Sequence, residues 1–554
     1  MNPAYMPLRQ DDDAAFTNDS IDGSAASTPL TSATMKNTTL GKIRAYWLGC
    51  VVCIGGFLFG YDSGIPQPKL LSIPLHHQHR QEADTPAHLG VPGLTRIPRV
   101  GGVLTLSSYI HDYRYSTQHK TRVNSLAVGL QQAGAFAACF VIWPVTNRIG
   151  RKKSLILSSA IFCIGAIIQT INTHSLAAFY VGRIIAGVGL GAASVVVPMF
   201  SSEMTPKEYR GQIGSFFQWF YTFGIFTSYW IDYAVTKKVA SVPKQWQIPI
   251  GLQLVPAALL GIGMFTLKES TRWLTKKGRH EEAWESLKWI RAGDSQAVVD
   301  EMEEIRTGAE MEQRATEGFQ LKELLERDNF KRIFTAVAVF TAQQATGATA
   351  FAYFGPQYFK LLVGGGDKDL LLTAIFGAIK VVACGFFVLF LSERVGRRQV
   401  LIWGAAFMAA CQITTAAVVK HKPPPGNGSV TSSGIATVAL IYMFVIAYNL
   451  SWGPLPWPYV SEIFPTRIRE PGIAVGVSSQ WLFNFVFSLT TPYMIANMGW
   501  GTFLLWGLFD AVIAIVTFFF LRETKGLSLE EIAHNDFGQV GDFKDIDQGR
   551  IDAK

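Results

Sequence analysis

The sequence predicts an all-α membrane protein with twelve transmembrane helices, arranged in two six-helix halves with a cytoplasmic helical domain between them. Three observations predict this class. Hydrophobic residues make up 49% of the 554 residues and charged residues only 16%, whereas soluble domains carry about 25% charged residues. The apolar residues form runs of roughly 20, which is long enough to cross a bilayer core. Charged motifs that flank the first six runs also recur, in the same order, around the second six.

The apolar runs define the expected helices. The first run extends from Tyr46 to Ile65 and contains no charge before Asp62. The other eleven runs are 123–146, 154–173, 176–199, 212–235, 247–268, 329–353, 369–392, 398–419, 433–458, 472–497 and 499–521. The expected segments are a disordered tail over 1–41, an N-terminal six-helix half over 42–269, an intracellular helical domain over 270–328, a C-terminal six-helix half over 329–521 and a tail over 522–554.

Basic loops set the expected orientation. Arg148 and Arg151 follow the second run, and Arg394 and Arg397 follow the eighth. Because cytoplasmic loops carry an excess of Lys and Arg, we expect these loops, the central domain and both chain termini in the cytoplasm. The N-terminal tail has no apolar stretch that would make it a signal peptide. The expected location is the plasma membrane.

An internal repeat indicates that the two halves are related. Arg148-Ile-Gly-Arg151 matches Arg394-Val-Gly-Arg397, Ser202-Glu203 with Arg210 matches Ser461-Glu462 with Arg469, and Lys268-Glu269-Ser270 loosely matches Arg522-Glu523-Thr524. Salt bridges between such Arg and Glu side chains would close a cytoplasmic gate in an alternating-access protein. Topology alone would explain the arginines, but acidic residues contribute little to it. The predicted gate residues are Arg148, Arg151, Glu203, Arg210, Arg394, Arg397, Glu462 and Arg469.

Several other functional classes find no support in the sequence. The six cysteines lie inside apolar runs, and Cys50-x-x-Cys53 has no second pair to complete a metal site, so we interpret it as helix packing. Three histidines within 76–79 lack an accompanying carboxylate or cysteine framework. The sequence contains no phosphate-binding loop and no hydrolase or transferase motif. We therefore expect no enzymatic activity, no cofactor, no metal and no nucleic-acid partner.

The motifs resemble those of the sugar porter family of the major facilitator superfamily, in particular its fungal members. The resemblance extends from about residue 46 to 532. It rests on Gly60-Tyr61-Asp62-Ser63-Gly64, Asn147-Arg148-Ile149-Gly150-Arg151-Lys152, Gly182-Arg183, Glu269-Ser270-Thr271-Arg272-Trp273-Leu274, Gln343-Gln344-Ala345-Thr346-Gly347, Glu393-Arg394-Val395-Gly396-Arg397-Arg398, Pro454-Leu455-Pro456-Trp457 and Glu523-Thr524-Lys525-Gly526. The resemblance implies a secondary transporter that works by alternating access.

The resemblance also implies a substrate site. In this family the two glutamines at 343 and 344 bind the sugar, and an amide suits vicinal hydroxyls because it both donates and accepts. Hydrogen bonds between helices, and for Trp457 a place in the interfacial belt, are the alternatives. Thr349 stands where many members have Asn. The predicted substrate-binding residues are Gln218, Gln343, Gln344, Thr349, Tyr353, Lys380, Trp457, Gln480 and Asn484.

Lys380 is unusual because it lies deep in the eighth apolar run. An ionisable residue within the membrane is a functional candidate by default, so this ammonium would bind an anionic substrate or pair with a carboxylate. A lysine here resembles the fungal quinate-permease-like subgroup more than the hexose carriers. Quinate is a polyhydroxylated acid, which glutamines and one cation would fit.

Asp62 is the predicted coupling residue. A carboxylate at the end of an apolar run marks an ion or substrate pathway by default, although it could instead cap the helix at the headgroup level. In proton-linked members of the family an Asp here pairs with an Arg on the fourth span, which is Arg183 in this chain. We therefore expect a proton symporter that imports a sugar or a related polyhydroxylated small molecule (a monosaccharide, a polyol or a quinate-like acid), as a monomer in the lipid bilayer. A quinate or sugar-acid permease, a facilitative uniporter and a non-transporting sugar sensor are the alternatives.

One stretch departs from the family pattern. Residues 66–100 contain several prolines and charges and no apolar period, so they cannot continue a bilayer helix. The two explanations are an intron retained in the gene model and a genuine extracellular loop.

Overall fold

The computed structural model describes residues 39–64, 112–113, 120–171, 174–205, 207–239, 243–318, 320–363, 368–392, 394–423 and 431–525. Every regular element in these ranges is a helix. Most of the predicted N-terminal tail, the whole stretch over 66–100 and the C-terminal tail from residue 526 lie outside the described residues.

The helices fall into three consecutive sets. The N-terminal set comprises α1 (Thr39–Gly64), α2 (Lys120–Ile149), α3 (Arg151–Thr170), α4 (Leu176–Met204), α5 (Lys207–Lys238), α6 (Lys244–Leu252) and α7 (Leu254–Thr266). The central set comprises α8 (Thr271–Lys276), α9 (His280–Arg291), α10 (Gln296–Thr316) and a 3-10 turn (Leu321–Leu325). The C-terminal set comprises α11 (Arg327–Ala345), α12 (Ala348–Val363), α13 (Lys368–Phe386) with a π-helical turn (Phe387–Leu391), α14 (Arg397–His421), α15 (Ser432–Leu450), α16 (Pro456–Glu462), a 3-10 turn (Thr466–Ile468), α17 (Arg469–Met498) and α18 (Gly501–Phe520).

Ten segments among the described residues are long and apolar enough to cross a membrane. They are α1, α2, α3, α4, α6 with α7, α13 with its π-helical turn, α14, α15, α17 and α18. The predicted spans over 212–235 and 329–353 are not among them. The first lies in α5, which carries charged residues in its first and last turns, and the second is divided between α11 and α12. The count of twelve therefore stays a prediction.

Two predicted helices are interrupted by non-helical residues, and a third, over 247–268, is divided between α6 and α7 at Gln253, whose backbone stays in the right-handed helical region. The run over 329–353 is interrupted at Gly347, whose φ of +79° is a left-handed conformation that favours glycine. The run over 433–458 is interrupted by a turn over 451–455, which separates α15 from α16. The expectation of continuous helices over these two runs was wrong. The breaks matter because they leave backbone carbonyl groups free to accept hydrogen bonds from side chains.

Glycines allow the helices around the end of α1 to approach closely. A side chain at Gly60 would overlap the carbonyl oxygen of Tyr221 in α5, and one at Gly224 in α5 would overlap the backbone of α1. A side chain at Gly187 in α4 would likewise overlap the carbonyl oxygen of Gln131 in α2. Small residues permit this kind of backbone contact between membrane helices. The contacts pack α1, which carries Asp62, against α5, and α4, which carries Arg183, against α2.

Two helix pairs form the most extensive contacts between the N-terminal and C-terminal sets. The helix α2 packs against α17, and α5 packs against α13. Trp219 of α5 donates from Nε1 to the carbonyl oxygen of Val381 in α13 at 3.0 Å. The hydroxyl of Tyr229 in α5 donates to the carbonyl oxygen of Ala352 in α12 at 2.6 Å. Side chains on these faces are therefore held between the two sets.

The third repeated motif caps two helices. Oε1 of Glu269 accepts hydrogen bonds from the first two backbone N–H groups of α3, at 2.9 and 3.0 Å. The carboxylate of Glu523 accepts from the first two backbone N–H groups of α14, at 2.8 and 3.0 Å. A negative charge at a helix N-terminus is favourable because it compensates the unpaired N–H groups and the helix dipole. A glutamate carboxylate thus caps the N-terminus of one helix in the N-terminal set and of one in the C-terminal set.

The central set is attached to the C-terminal set by a charged pair. Arg467 donates from Nε and Nη2 to the carboxylate of Glu323, at 2.6 and 2.9 Å. This bidentate contact holds the pKa of Glu323 below its ordinary value. A lowered carboxyl pKa means that the contact is present above the ordinary value and is lost only as the pH falls through the lowered one. The pair therefore stays ionised at neutral and mildly acidic pH.

Candidate functional site

The Asp62 carboxylate is contacted from two other helices. Asp62 lies in the last turn of α1 and is only 2% exposed. Nη1 of Arg183 in α4 lies 3.4 Å from Oδ1, and Nε2 of Gln131 in α2 donates to Oδ2 at 2.6 Å. The structure thus brings the two predicted coupling residues into contact inside the bundle. Their part in proton coupling stays a prediction.

Arg183 is held in place by groups other than Asp62. Its Nε donates to the carbonyl oxygen of Ala127 at 2.7 Å, and its Nη1 donates to Oε1 of Gln169 at 3.3 Å. Nε2 of Gln169 in turn donates to two backbone carbonyl groups at 3.2 Å each. The guanidinium would therefore keep its position if Asp62 became neutral. Such an arrangement lets the carboxyl group change its protonation state beside a fixed cation.

Gln131 is a site residue that the sequence reasoning missed. It is part of a Gln131-Gln132 pair inside the apolar run over 123–146. This is the same signal that singled out Gln343 and Gln344 in the seventh run. Nε2 of Gln132 donates to the hydroxyl of Tyr353 at 3.0 Å, which links α2 to α12. Applying the glutamine-pair argument to both runs would have found these two residues.

Gln343 joins three parts of the C-terminal set. Its Nε2 donates to the carbonyl oxygens of Trp452 and Gly453 in the 451–455 turn, at 2.9 and 3.1 Å. Its Oε1 accepts from Nε2 of Gln480 in α17 at 3.2 Å. These bonds use both N–H donors of the amide, so a substrate acceptor would have to replace one of the two carbonyl groups, whereas Oε1 has a second lone pair for a substrate donor. The helix break at the turn supplies the two carbonyl groups, and the amide stabilises the break.

Two buried amide oxygens near this network have no hydrogen-bond partner among the described residues. They are Oε1 of Gln344 and Oε1 of Gln480. Buried polar atoms are nearly always hydrogen-bonded to protein or to water. These oxygens are therefore acceptors that water or the hydroxyl groups of a ligand can use. Both residues belong to the predicted substrate set.

Lys380 is a buried cation between the two sets. It is 2% exposed, and no carboxylate of the described residues lies within salt-bridge distance of its ammonium group. Its Nζ lies 5.7 Å from the ring centre of Tyr221 in α5 and 5.8 Å from that of Phe376 in α13. Each cation–π contact of this kind contributes about 2 kcal/mol or more when desolvated. The effective penalty for removing an ion from water is several kcal/mol, so these contacts offset part of it and provide no counter-charge.

An aromatic chain connects the surroundings of Lys380 to α17. The rings of Tyr221 and Phe59 are 4.8 Å apart, and those of Phe59 and Trp481 are 5.0 Å apart. Nε1 of Trp481 donates to the hydroxyl of Ser194 in α4 at 3.2 Å. Lys380 and the neighbours of Gln480 therefore adjoin one interface between the N-terminal and C-terminal sets.

The other predicted substrate residues are less closely connected. Gln218, Thr349 and Trp457 are half-buried and form no hydrogen bond with another described residue. The ring of Trp457 lies 5.1 Å from that of Phe340 in α11. Asn484 is buried in α17, where its Oδ1 accepts from the hydroxyl of Ser488 in the next turn at 3.2 Å. Among the described residues, no hydrogen bond joins any of these four residues to Gln343 or Lys380.

Two of the predicted gate residues, Arg151 and Glu203, form a dense cluster with Glu470 of the C-terminal set. Nη2 of Arg151 lies 2.9 Å from Oε1 of Glu203, and 3.6 Å from Oε1 of Glu470 at the start of α17. Glu470 also accepts from Nε1 of Trp143 at 3.1 Å and from Nδ2 of Asn147 at 3.4 Å. The cluster therefore joins α2, α3 and α4 to α17. Glu470 was missed because its position has no acidic counterpart in the repeat.

The corresponding cluster in the C-terminal set is looser. Nη2 of Arg397 lies 3.4 Å from Oε1 of Glu462. Nε of Arg469 donates to the carbonyl oxygen of Phe464 at 3.3 Å. Arg148 and Arg394 have no carboxylate within salt-bridge distance among the described residues. The side chain of the remaining predicted gate residue, Arg210, lies outside the described part of the structure.

Comparison with known proteins gives a family match along most of the chain. The model of the family described as "Sugar (and other) transporter" matches residues 48–535. A probable quinate permease of Neosartorya fischeri is 35% identical over 448 residues, which cover 78% of this chain and 82% of that protein. A quinate permease of Emericella nidulans is 33% identical over 446 residues, with 78% and 84% covered.

Solved structures show similarity in fold. A structure of the proton:xylose symporter XylE bound to 6-bromo-6-deoxy-D-glucose has a TM-score of 0.70 at 24% identity, and the match covers 89% of this chain and 99% of that one. The inward-open conformation of XylE from E. coli has a TM-score of 0.67 at 22% identity, with 88% and 99% covered. At these identities the likeness establishes the architecture.

Proposed function

Because the chain belongs to the sugar transporter family of the major facilitator superfamily, we propose that it is a proton symporter that imports a polyhydroxylated acid by alternating access. Membership confirms the resemblance identified from the sequence motifs. It makes the chain a multi-pass membrane transporter and not an enzyme. The substrate class and the coupling ion are the parts that we propose.

The ammonium of Lys380, which has no carboxylate partner among the described residues, is the observation that carries the substrate class. A buried charge is costly unless it is paired and hydrogen-bonded, and cation–π contacts compensate only part of that cost. A carboxylate on the substrate would supply the missing partner during transport. Quinate, which appears in the names of the relatives, combines one carboxylate with several hydroxyl groups. A neutral sugar or polyol would leave the ammonium without a counter-charge.

The amides beside the same interface suit the hydroxyl groups of such a substrate. Gln344 and Gln480 each have a buried oxygen that lacks a hydrogen-bond partner among the described residues. Nε2 of Gln343 donates to two backbone carbonyl groups. It could give up one of these hydrogen bonds and donate to a substrate hydroxyl instead. We propose that these three glutamines and Lys380 form the primary contacts. Gln218, Thr349, Tyr353, Trp457 and Asn484 would complete the site.

We propose that Asp62 carries the coupled proton. Burial favours the neutral form of a carboxyl group, and an adjacent cation favours the charged form. A conformational change that alters the contact between Asp62 and Arg183 would therefore change the affinity for a proton. The hydrogen bonds that hold Arg183 to Ala127 and Gln169 support this role, because the cation can stay in place through the cycle.

The proposal includes the predicted topology. We propose that α5 and the pair α11–α12 are the two further spans that, with the ten candidate spans, complete the predicted twelve. The N-terminal and C-terminal sets would then be the six-helix halves of a monomer in the plasma membrane. The central set and both termini would be cytoplasmic. The cluster of Arg151, Glu203 and Glu470 would then be a cytoplasmic gate, closed in this structure by a contact between the two sets.

Uptake of a labelled panel by transporter-null cells tests the substrate class. The panel consists of quinate, glucose, xylose and a polyol, measured at pH 5 and pH 7 with and without a protonophore. We expect quinate uptake that rises at the lower pH and falls with the protonophore. Uptake of glucose or xylose with no uptake of quinate would contradict the anionic substrate. Quinate uptake that is unchanged by the protonophore would indicate a uniporter.

A further inference from the structure

A groove lies outside the proposed transport path, between α14 and α15. Its volume is about 750 Å³, which falls within the range of about 300–1,000 Å³ that is usual for small-molecule sites. Its walls are formed by Trp403 and Phe407 from α14 and by Met443 and Ile446 from α15. All four side chains are exposed at the bundle surface. Both helices are candidate membrane spans, so the medium that meets these walls is lipid.

One end of the groove is positively charged. Arg394 and Lys525 both line it, and both side chains are exposed. Nζ of Lys525 donates to the carbonyl oxygen of Arg394 at 2.7 Å, which fixes the two residues beside each other. Neither cation has a carboxylate within salt-bridge distance among the described residues.

Among the described residues, the acidic residue closest in sequence to Lys525 does not neutralise these cations. Glu523 lies two positions before Lys525, but its carboxylate accepts hydrogen bonds from the backbone N–H groups of Arg397 and Arg398 at the start of α14. It also accepts from the backbone N–H of Lys525 at 3.1 Å. Because Glu523 is engaged by the helix terminus, the two side-chain cations remain available to an external anion.

We propose that this groove binds one phospholipid with an anionic headgroup. The phosphate lies between Arg394 and Lys525, and an acyl chain fills the channel between Trp403, Phe407, Met443 and Ile446. Basic pockets between transmembrane helices at the cytoplasmic side suit anionic headgroups, because that leaflet carries the anionic lipids. The apolar walls alone would accept any acyl chain, so the two cations confer the preference for headgroup charge. This assignment does not depend on the identity of the transported substrate.

The proposal also gives Arg394 a different role from the one that the repeat suggests. The internal repeat, in which Arg394 corresponds to Arg148, predicts that Arg394 forms a salt bridge of the gate. Among the described residues, however, no carboxylate lies within salt-bridge distance of Arg394. Arg397, three positions later, does contact Glu462 at 3.4 Å. The two arginines of one motif would therefore serve two purposes, one within the protein and one toward lipid.

Native mass spectrometry of the full-length protein, titrated with phosphatidylserine or with phosphatidylcholine of the same chains, tests the site. We expect one phosphatidylserine to bind at least tenfold more tightly than phosphatidylcholine. The double variant Arg394→Gln, Lys525→Gln should reduce phosphatidylserine binding to the phosphatidylcholine level. The matched control is Lys277→Gln, Lys322→Gln, which removes two exposed cations from the central segment and should bind as the wild type does.

A second variant tests the acyl channel independently. Ala447 lines the groove from α15, so Ala447→Trp should fill it and weaken both lipids by about tenfold. Glycerophosphoserine, which has the headgroup but no chains, should not compete at the concentrations that phosphatidylserine needs. Size-exclusion chromatography verifies that each variant is folded. Equal binding of the two lipids, or unchanged phosphatidylserine binding in the Arg394→Gln, Lys525→Gln variant, would overturn the proposal.

Discussion

Two buried charges in this bundle have opposite surroundings. Both carboxylate oxygens of Asp62 are contacted, one by Arg183 at 3.4 Å and one by Gln131 at 2.6 Å. The ammonium of Lys380 instead faces the rings of Tyr221 and Phe376, without a carboxylate among the described residues. A neighbouring cation favours the charged form of a carboxyl group, so a change in their contact changes its affinity for a proton. A buried ammonium that keeps its charge is stabilised by a counter-charge, which a substrate carboxylate would supply. Our proposal that Asp62 couples the proton and that Lys380 binds the substrate carboxylate rests on this difference.

The largest expected effect is that of Asp62→Asn. The amide keeps the shape of the carboxylate but cannot bind or release a proton, so accumulation against a gradient should be abolished. Exchange of substrate across the membrane should persist, because Arg183 remains held by Ala127 and Gln169. Counterflow and net accumulation of labelled quinate measure the two activities.

Asp510→Asn is the matched control for the coupling residue. Asp510 is fully buried in α18, and neither of its carboxylate oxygens has a hydrogen-bond partner among the described residues. The account gives it no part in coupling, so accumulation should be retained. If Asp510→Asn abolished accumulation and Asp62→Asn did not, the hypothesis that the carboxylate beside Arg183 carries the coupled proton would be wrong.

Lys380→Met should reduce kcat/KM for quinate by roughly 100-fold. Methionine keeps much of the length of the side chain but removes the charge, and losing one partner of a buried charge pair costs about 2–5 kcal/mol. Any residual transport of glucose or a polyol should be unchanged or improved, since a neutral substrate needs no counter-charge. Uptake kinetics with quinate and glucose measure this change of preference.

The control for Lys380→Met is Lys420→Met. Lys420 lies in the last turn of α14, the helix that follows α13 in the chain. Lys420 is exposed and lies 4.7 Å from the ring centre of Trp500. Its replacement removes a cation–π contact without touching the interface between the sets, and uptake of quinate should be unaffected. Equal losses of quinate and glucose transport in Lys380→Met would indicate a structural role for Lys380.

Gln480→Ala should raise KM by about tenfold for charged and neutral substrates alike. It removes a hydroxyl contact and leaves Oε1 of Gln343 without its donor, and an unsatisfied buried group costs about 1–3 kcal/mol. Because Gln343 also ties α11 to the 451–455 turn, Gln343→Ala should lower the melting temperature as well. Comparing uptake and thermal unfolding of the two variants separates binding from folding. A selective loss of quinate in Gln480→Ala would contradict a site in which the amides bind only hydroxyls.

Glu470→Gln should have the smallest effect, a change of about fivefold or less in transport rate. It weakens the 3.6 Å contact with Arg151, but the buried guanidinium keeps its closer contact with Glu203 at 2.9 Å, so the charge of Arg151 stays paired. Both buried charges remain in place, so coupling and substrate preference should stay as in the wild type. Glu462→Gln, which removes a single contact of 3.4 Å within the C-terminal set, should change the rate less. Altered coupling in Glu470→Gln would show that the cytoplasmic gate and the proton site at Asp62 do not act independently.

The sequence predicted features that depend on local pattern. Run length and composition located most of the spans, and the repeated Arg and Glu motifs located the charged clusters around Arg151 and Arg397. The helix break at Gly347 was not predicted, because the surrounding residues continue an apolar run and only the backbone conformation marks the interruption.

Features that depend on contacts between distant residues could not be predicted. The environment of Lys380 is set by Tyr221 from another helix set, and nothing in the eighth run indicates an aromatic rather than a carboxylate neighbour. Glu470 lacks a counterpart in the repeat, so its contact with Arg151 emerges only from the packing of α17 against the N-terminal set. Gln131 is the exception, since its glutamine pair was visible in the sequence.

The most direct test of the account is quinate accumulation in proteoliposomes under an imposed inward proton gradient. Wild-type protein, Asp62→Asn and Lys380→Met are compared in the same preparation with the membrane potential clamped at zero. The account predicts accumulation above the external concentration for the wild type, equilibration without accumulation for Asp62→Asn and almost no uptake for Lys380→Met. Accumulation by Asp62→Asn equal to that of the wild type, or normal quinate uptake by Lys380→Met, would contradict the division of roles between the two buried charges.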